Sequence, residues 1–383
     1  MGKLRHRAGR AASALLVGCA MLALILRPND AITYAKDGLR LCADVIIPSL
    51  FPFFVLSQMI VELGFAKYVG AAFERVMRPL FGVSGACATA LALGFVGGYP
   101  TGAKTAISLY EGGLCTRTEA ERMLAFCNNS GPAFILGVVG AGVFGSSGVG
   151  LLLYLAHAVA SILVGIVFRF WGRNSSASDS RLAAPSQAVG LAPAFSNSVA
   201  GALGSTLAIC AFVIFFTVVI KMLCLTGAIP FVASLAARLP FVDETTVRQL
   251  LTGLIEISSG VWSLKGAAVG MRTELALAAF MLGWAGLSVH CQVLSFIGRS
   301  GLSTKTYILG KLLHGVISAA LVWCVSGALG LAKPVSAYLA EQVAGAASMT
   351  LPTALAMSAG GAVIGVGWLW LGCALHKYRK KGL

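Results

Sequence analysis

Leu93-Gly94-Phe95-Val96-Gly97-Gly98-Tyr99-Pro100-Thr101-Gly102-Ala103-Lys104 is the stretch on which the fold turns. It starts as an apolar helix and then meets three glycines and a proline between Gly97 and Gly102. Glycine adds backbone freedom and proline removes a donor, so the helix stops there. A second interruption, Cys127-Asn128-Asn129-Ser130-Gly131-Pro132, follows in the next apolar segment. Two amides and a hydroxyl in a row are costly in an apolar setting unless they are hydrogen-bonded. In a soluble chain both stretches would be ordinary turns.

The rest of the chain excludes a soluble setting. Of 383 residues, 57% are hydrophobic and only 11% are charged, against about 25% charged in a soluble domain. So few charges cannot cover a water-facing surface. The apolar runs are roughly 16–25 residues long, which suits membrane helices rather than short alternating barrel strands. The expected fold class is an all-α polytopic membrane protein. Lys and Arg number 29 against 14 Asp and Glu, a formal +15. These cations cluster at the ends of apolar runs: Lys3 to Arg10, Arg169 and Arg173, and His376 to Lys381. That pattern places both termini and the mid-chain linker in the cytoplasm, and makes the bilayer, not nucleic acid, the partner of the charge.

Signals for catalysis and metals are weak. The ten cysteines have no CxxC spacing, so neither zinc nor redox chemistry is indicated. No HExxH or nucleotide-binding loop occurs. Gly82-Val83-Ser84-Gly85 has the form of an intramembrane serine-protease motif, with His157 or His290 as a base. Four residues in a chain with 46 glycines carry little weight. The chain is expected to be no enzyme and to need no cofactor.

The organisation expected is five segments. Residues 1–40 hold a basic head and a first span, Ala11 to Leu26, taken as uncleaved although a signal peptide has the same pattern. Residues 41–171 form a first repeat and 172–198 a Ser/Ala-rich linker with Pro185 and Pro193. Residues 199–332 form a second repeat, and 333–383 a last span, Leu355 to Leu375, with a basic tail. In the first repeat a bent run, Leu41 to Leu63 with Pro48 and Pro52, leads to an amphipathic stretch, 67–80. A helix from Thr118 follows, with Glu121 completing a capping box. A shift of about 158 residues brings the second repeat into the same order, residue identity being thin. Val199 to Leu225 is its long span and Phe231 to Leu239 its interfacial stretch. Val247 to Leu264 and Leu275 to Phe296 are its interrupted segments, and Tyr307 to Leu331 is its last span. Duplicated halves with paired interruptions point to a secondary-transporter binding site.

Backbone broken at membrane depth survives only inside protein or along a polar cavity. The expected site is therefore one cavity built by four interruptions. Gly98, Tyr99, Thr101 and Gly102 would form a re-entrant tip, with Lys104 as a fixed positive charge. The competing reading is a surface turn with Lys104 snorkelling. Asn128, Asn129 and Ser130 donate and accept as a polar solute requires, though they would equally serve as helix–helix glue. Glu256 is an acid inside an apolar run, placed to hold a proton or cation or to pair with Lys104 or Lys265. Ser258 and Ser259 extend that break; Ser288, His290 and Gln292 mark the last one. His157 and His314 lie on clean spans and read as structural. Helix N-termini at the breaks favour a small anion. With no nucleotide motif, the energy must come from a gradient, for instance of a coupling cation or proton, or from consumption of the solute. An oligomer is compatible with this reading.

The Leu93–Lys104 stretch and Glu119-Ala120-Glu121-Arg122-Met123-Leu124-Ala125-Phe126-Cys127-Asn128-Asn129-Ser130-Gly131-Pro132 resemble the YlbJ-type sporulation integral membrane proteins of the nucleoside-recognition (Gate) domain family. The resemblance implies a fold similar to that of concentrative nucleoside transporters, with inverted repeats and helical hairpins. It also implies export of dipicolinate from the mother cell across the outer forespore membrane. Tyr99 would stack on the aromatic dianion. Two other readings stand beside it: a carrier of a nucleoside-like or other small polar metabolite, and a non-transporting membrane scaffold for sporulation.

Overall fold

The computed structural model describes Ala14 and residues 17–63, 65–172, 190–239, 243–266 and 270–328. The basic head, most of the linker, the Leu355–Leu375 span and the basic tail lie outside the described residues. Among those described there is no strand.

The apolar helix α1 (Val17–Leu26) leads into α2 (Pro28–Leu41). A π-helical turn, Cys42–Ile46, joins α2 to α3 (Ile47–Glu62), with Pro48 in the first turn of α3 and Pro52 inside it. The wider turn lets the chain pass the prolines without stopping. The amphipathic α4 (Phe65–Phe81) precedes a short 3-10 turn, Gly85–Cys87, and α5 (Ala88–Gly97). Phe73–Phe81 and Gly85–Gly97 meet at 94°. Then come α6 (Thr101–Glu111), α7 (Arg117–Phe126), a π-helical segment Ala133–Val143 and α8 (Ser147–Phe168).

The second unit repeats the order. It runs α9 (Leu191–Leu225), α10 (Ala228–Ala236), α11 (Glu244–Ile255), α12 (Ile257–Trp262), α13 (Met271–Trp284), α14 (Gly286–Ser300) and α15 (Thr304–Ala328). The spacing is close to constant. The C-caps of α5 and α11, Gly98 and Glu256, are 158 residues apart (256 − 98), and α8 and α15 start 157 apart (304 − 147). The α9 helix begins inside the stretch expected to be linker. Pro193 is tolerated because it falls in the first turn, where its missing N–H has no helical partner.

Each unit holds a hairpin and a broken span. In the first, α5 ends because Gly98 adopts φ +72°, and α6 turns back so that Gly94 and Gly102 pack together. A Cβ on either glycine would overlap the Cys127 carbonyl oxygen. In the second, Gly253 meets Gly260 across α11 and α12. The apolar stretch Met271–Ser300 is long enough to cross once, broken where Ala285 and Gly286 take φ of 78° and 80°. A left-handed alanine costs energy that only a surrounding framework holds in place. By length and composition, four described helices are apolar enough to cross a membrane: Ser147–Phe168, Leu191–Leu225, Met271–Ser300 and Thr304–Ala328.

The exterior is apolar and the interior carries the polar groups. Leu151, Leu155, Val159, Leu163 and Val167 form an exposed stripe on α8, while His157 and Ser161 on its other face are buried. The same holds on α15, with Leu309, Leu312 and Val316 outside and Lys311 and His314 inside.

One helix start differs from expectation. Thr116, not Thr118, caps α7: the Glu119 amide donates to Thr116 Oγ1 at 3.3 Å, and the Thr116 amide to Glu119 Oε2 at 2.8 Å. Glu121 instead accepts from the Ser303 amide at 3.0 Å and from Arg117 at 3.1 Å, tying α7 to the start of α15. Thr116→Ala should lower stability in thermal melts by about 1 kcal/mol. Thr118→Ala should leave the melt unchanged.

Candidate functional site: a cleft between four helix interruptions

The interruptions meet in pairs. A Cβ on Gly98 would lie 2.9 Å from the Gly131 amide nitrogen, so the first hairpin tip rests on the break after α7. A Cβ on Gly286 would lie 2.9 Å from the Ile257 nitrogen, so the second tip rests on the break after α13. Between the two pairs is a cleft open to the exterior, with a cavity volume of about 60 Å³. Gly98, Tyr99, Ser130, Glu256, Ser258, Ser288 and Gln292 all line it. The facing wall is apolar, from Ile46 beside α3 and from Ile209, Phe212 and Val213 on α9. An apolar wall opposite a few convergent polar groups is the usual make-up of a small-molecule site. Buried Ser288 Oγ and Gln292 Nε2 have no hydrogen-bond partner from the described residues. Such groups are the ones a bound solute would satisfy.

Glu256 ends α11 and caps α12. Its two carboxylate oxygens accept from the Ser258 amide at 2.9 Å and the Ser259 amide at 2.6 Å. The expected lysine partners lie elsewhere. Lys104 donates to Ser205 Oγ at 3.0 Å and lies 5.0 Å from the centre of the Phe296 ring, outside the cleft. Lys265 sits 4.8 Å from the Trp262 ring centre. Both carboxylate oxygens are held instead by amides at the start of α12.

The other expected residues surround the cleft without lining it. Thr101 opens α6, and Gly102 is packed on Cys127. Asn129 Nδ2 donates to the Phe126 carbonyl at 3.0 Å. Ser259 faces a second cavity on the far side of α12, shared with Asp37, Lys221 and Trp262. His290 Nδ1 lies 3.0 Å from the Tyr307 hydroxyl, and its ring meets Trp284 edge-on at 4.2 Å between centroids.

A cluster behind the cleft was not read from the sequence. Lys311 is fully buried, and Nζ donates to Tyr99 Oη at 3.1 Å and to the Asn128 carbonyl at 2.9 Å, with His314 Nδ1 at 3.4 Å. His314 Nε2 lies 2.9 Å from the His157 carbonyl, and the Ser130 amide donates to His157 Nε2 at 3.1 Å. The two rings are 4.2 Å apart, and their positions differ by 157 residues (314 − 157), the spacing of the two units. The available signal was one lysine in the middle of an apolar run, with a histidine one turn on.

Comparison with known proteins agrees with this architecture. Residues 43–147 match the family model Gate, nucleoside recognition. The fold is that of the concentrative nucleoside transporter CNTnw. Its inward-facing substrate-bound structure aligns with a TM-score of 0.51 at 12% identity, covering 84% of this chain and 85% of that one. An outward-facing structure of a doubly substituted variant of that transporter gives 0.51 at 14% identity over the same shares. The sporulation integral membrane protein YlbJ of Bacillus subtilis (strain 168) is 30% identical over 319 residues, 78% of each chain. Identity at that level over most of both chains establishes that this chain belongs to the YlbJ family of sporulation integral membrane proteins.

Proposed function

We propose that this chain carries a small anionic solute across a membrane, and that the solute is dipicolinate, moved from the mother cell toward the forespore across the outer forespore membrane. The observation that carries the reading is the meeting of four helix interruptions on one cleft. A scaffold needs no such convergence, because its interruptions would serve separate packing contacts. Polar backbone and side chains gathered against an apolar wall suit a flat aromatic ring bearing polar substituents. Tyr99 offers a ring to stack on, and Ser130, Ser258, Ser288 and Gln292 offer donors to carboxylate oxygens. Positive charge comes from Lys311, which reaches the cleft through Tyr99. The sporulation name of the Bacillus relative supports the cellular setting. The cationic ends of the chain support cytoplasmic termini.

Dipicolinate content in spores lacking this chain, with and without complementation, tests the reading. Spores of the deletion strain should hold less than about a tenth of the parental content, with recovery on complementation. Parental content in the deletion strain would end the proposal. Uptake by purified protein in vesicles separates solutes: excess nucleoside should leave dipicolinate uptake unchanged, and competition would favour a nucleoside-like substrate.

A further inference from the structure

The hydrogen-bond roles behind the cleft follow from chemistry. His157 Nε2 accepts from the Ser130 amide, so that nitrogen carries no proton. His314 Nε2 faces the His157 carbonyl oxygen, which can only accept, so that nitrogen is protonated. In a neutral ring His314 Nδ1 is then an acceptor, and the neighbouring donor is Lys311 Nζ. The other two ammonium hydrogens go to Tyr99 Oη and the Asn128 carbonyl, while Tyr99 Oη donates to the Leu282 carbonyl at 2.6 Å. The proton between Nζ and Nδ1 has two places to reside. One form is an ammonium facing a neutral imidazole; the other is an amine facing an imidazolium.

Among the described residues the hydrogen-bond partners of Lys311 and His314 include no carboxylate. Among the described residues the ion pairs are Arg27–Asp30, Arg78–Glu74, Arg117–Glu121 and Arg248–Glu244, all away from Lys311. The ionisable groups nearest Lys311 are Tyr99 from the first hairpin, Cys127 after α7, His157 from α8, His290 from α14 and Tyr307 one turn back on α15. The α13 helix brings Arg272 and Glu274 only at its start. There Arg272 Nε donates to the Trp323 carbonyl, 12 residues (323 − 311) along α15, a distance of about 18 Å. A charge enclosed in the bilayer without a counter-charge is expensive. It is retained where it is discharged or met by an anion during function.

We propose that Lys311 and His314 form a proton-binding site that exchanges its proton in step with anion entry into the cleft. Tyr99 and Ser130 line the cleft and also bond Lys311 and His157, so cleft occupancy and protonation act on the same residues. The charged pair holds one proton, shared as above. Its release leaves an amine and a neutral imidazole and passes one proton, past the Tyr99 hydroxyl, to water in the cleft. The inference deepens the carrier reading by naming the coupled ion. The site itself stands on hydrogen-bond geometry, whatever the solute.

The test uses full-length protein labelled with 15N-histidine in lipid nanodiscs, without solute, titrated from about pH 5 to about pH 9. The His314 Nδ1 resonance should move with pH while Nε2 stays protonated, and Lys311→Met should abolish or displace that transition. His314→Gln preserves folding, because the amide N–H can donate to the His157 carbonyl and the amide oxygen can accept from Lys311. A His314 curve unchanged in Lys311→Met, or no transition in the parent, overturns the site. In vesicles, an imposed pH gradient should raise accumulation of labelled dipicolinate about tenfold in the parent, a usual size for linkage between sites. In His314→Gln it should have no such effect, and a parental response there also overturns the site. Failure of the parent to carry dipicolinate strikes the substrate assignment, while the resonance titration still decides the proton site.

Discussion

Replacing Glu256 with alanine should abolish solute accumulation while the protein remains inserted and abundant. Both carboxylate oxygens accept from amides at the start of α12. Bonds to a charged group are worth about 1.5–3 kcal/mol each. Losing both removes about 3 kcal/mol or more from the tip, enough to lower the population of its ordered form by over a hundredfold. Glutamine should be nearly as damaging, because its amide group would face one of the two N–H donors. Aspartate keeps two acceptors at a helix start and should restore a measurable part of the activity. Uptake in vesicles, normalised to protein recovered in the membrane, is the measurement. Parental uptake by the alanine variant would remove Glu256 from the site.

The second large effect is structural and is expected at Gly102. A Cβ there would overlap the Cys127 carbonyl oxygen and lie 2.7 Å from the Cys127 carbonyl carbon and 3.0 Å from Gly94 Cα. These neighbours are backbone atoms and cannot swing aside. Gly102→Ala must therefore push the first hairpin off the break it rests on, at a cost of about 1–3 kcal/mol or more. Gly204→Ala on α9 is the control, since a Cβ there meets nothing within 4 Å. In a helix that change is neutral or stabilises by up to about 1 kcal/mol. Thermal melts followed by size-exclusion chromatography should show Gly102→Ala falling and Gly204→Ala holding or rising. Equal melts would mean that the hairpin contact is looser than described.

The hairpins and broken spans were legible because glycine and proline act locally, whatever the tertiary surroundings. The duplicated order was legible for the same reason, even though few residues match across the units. What stayed hidden depends on contacts distant in sequence. Thr116-x-x-Glu119 and Thr118-x-x-Glu121 both satisfy the capping pattern. Only the packing of α7 on α15, which engages Glu121 through Ser303, decides between them. Lys104 drew notice because it adjoins a break, yet one helical turn carries it toward Ser205 on α9. Lys311 was hidden by the apolar residues around it, since average hydropathy absorbs a single charge. Glu256 stood out as an acid in an apolar run. Its part as a helix cap required knowing that α11 ends and α12 begins on that one residue.

His157 and His314 occupy corresponding places in the two units and their rings touch. At the spacing that separates the two units, each histidine stands where the other does in its own half, and the two meet in the buried polar cluster. Lys311 has no such twin: the corresponding place, 154 (311 − 157), is Tyr154. The charge thus stands on one side of an otherwise balanced centre, and gives a duplicated molecule a front and a back.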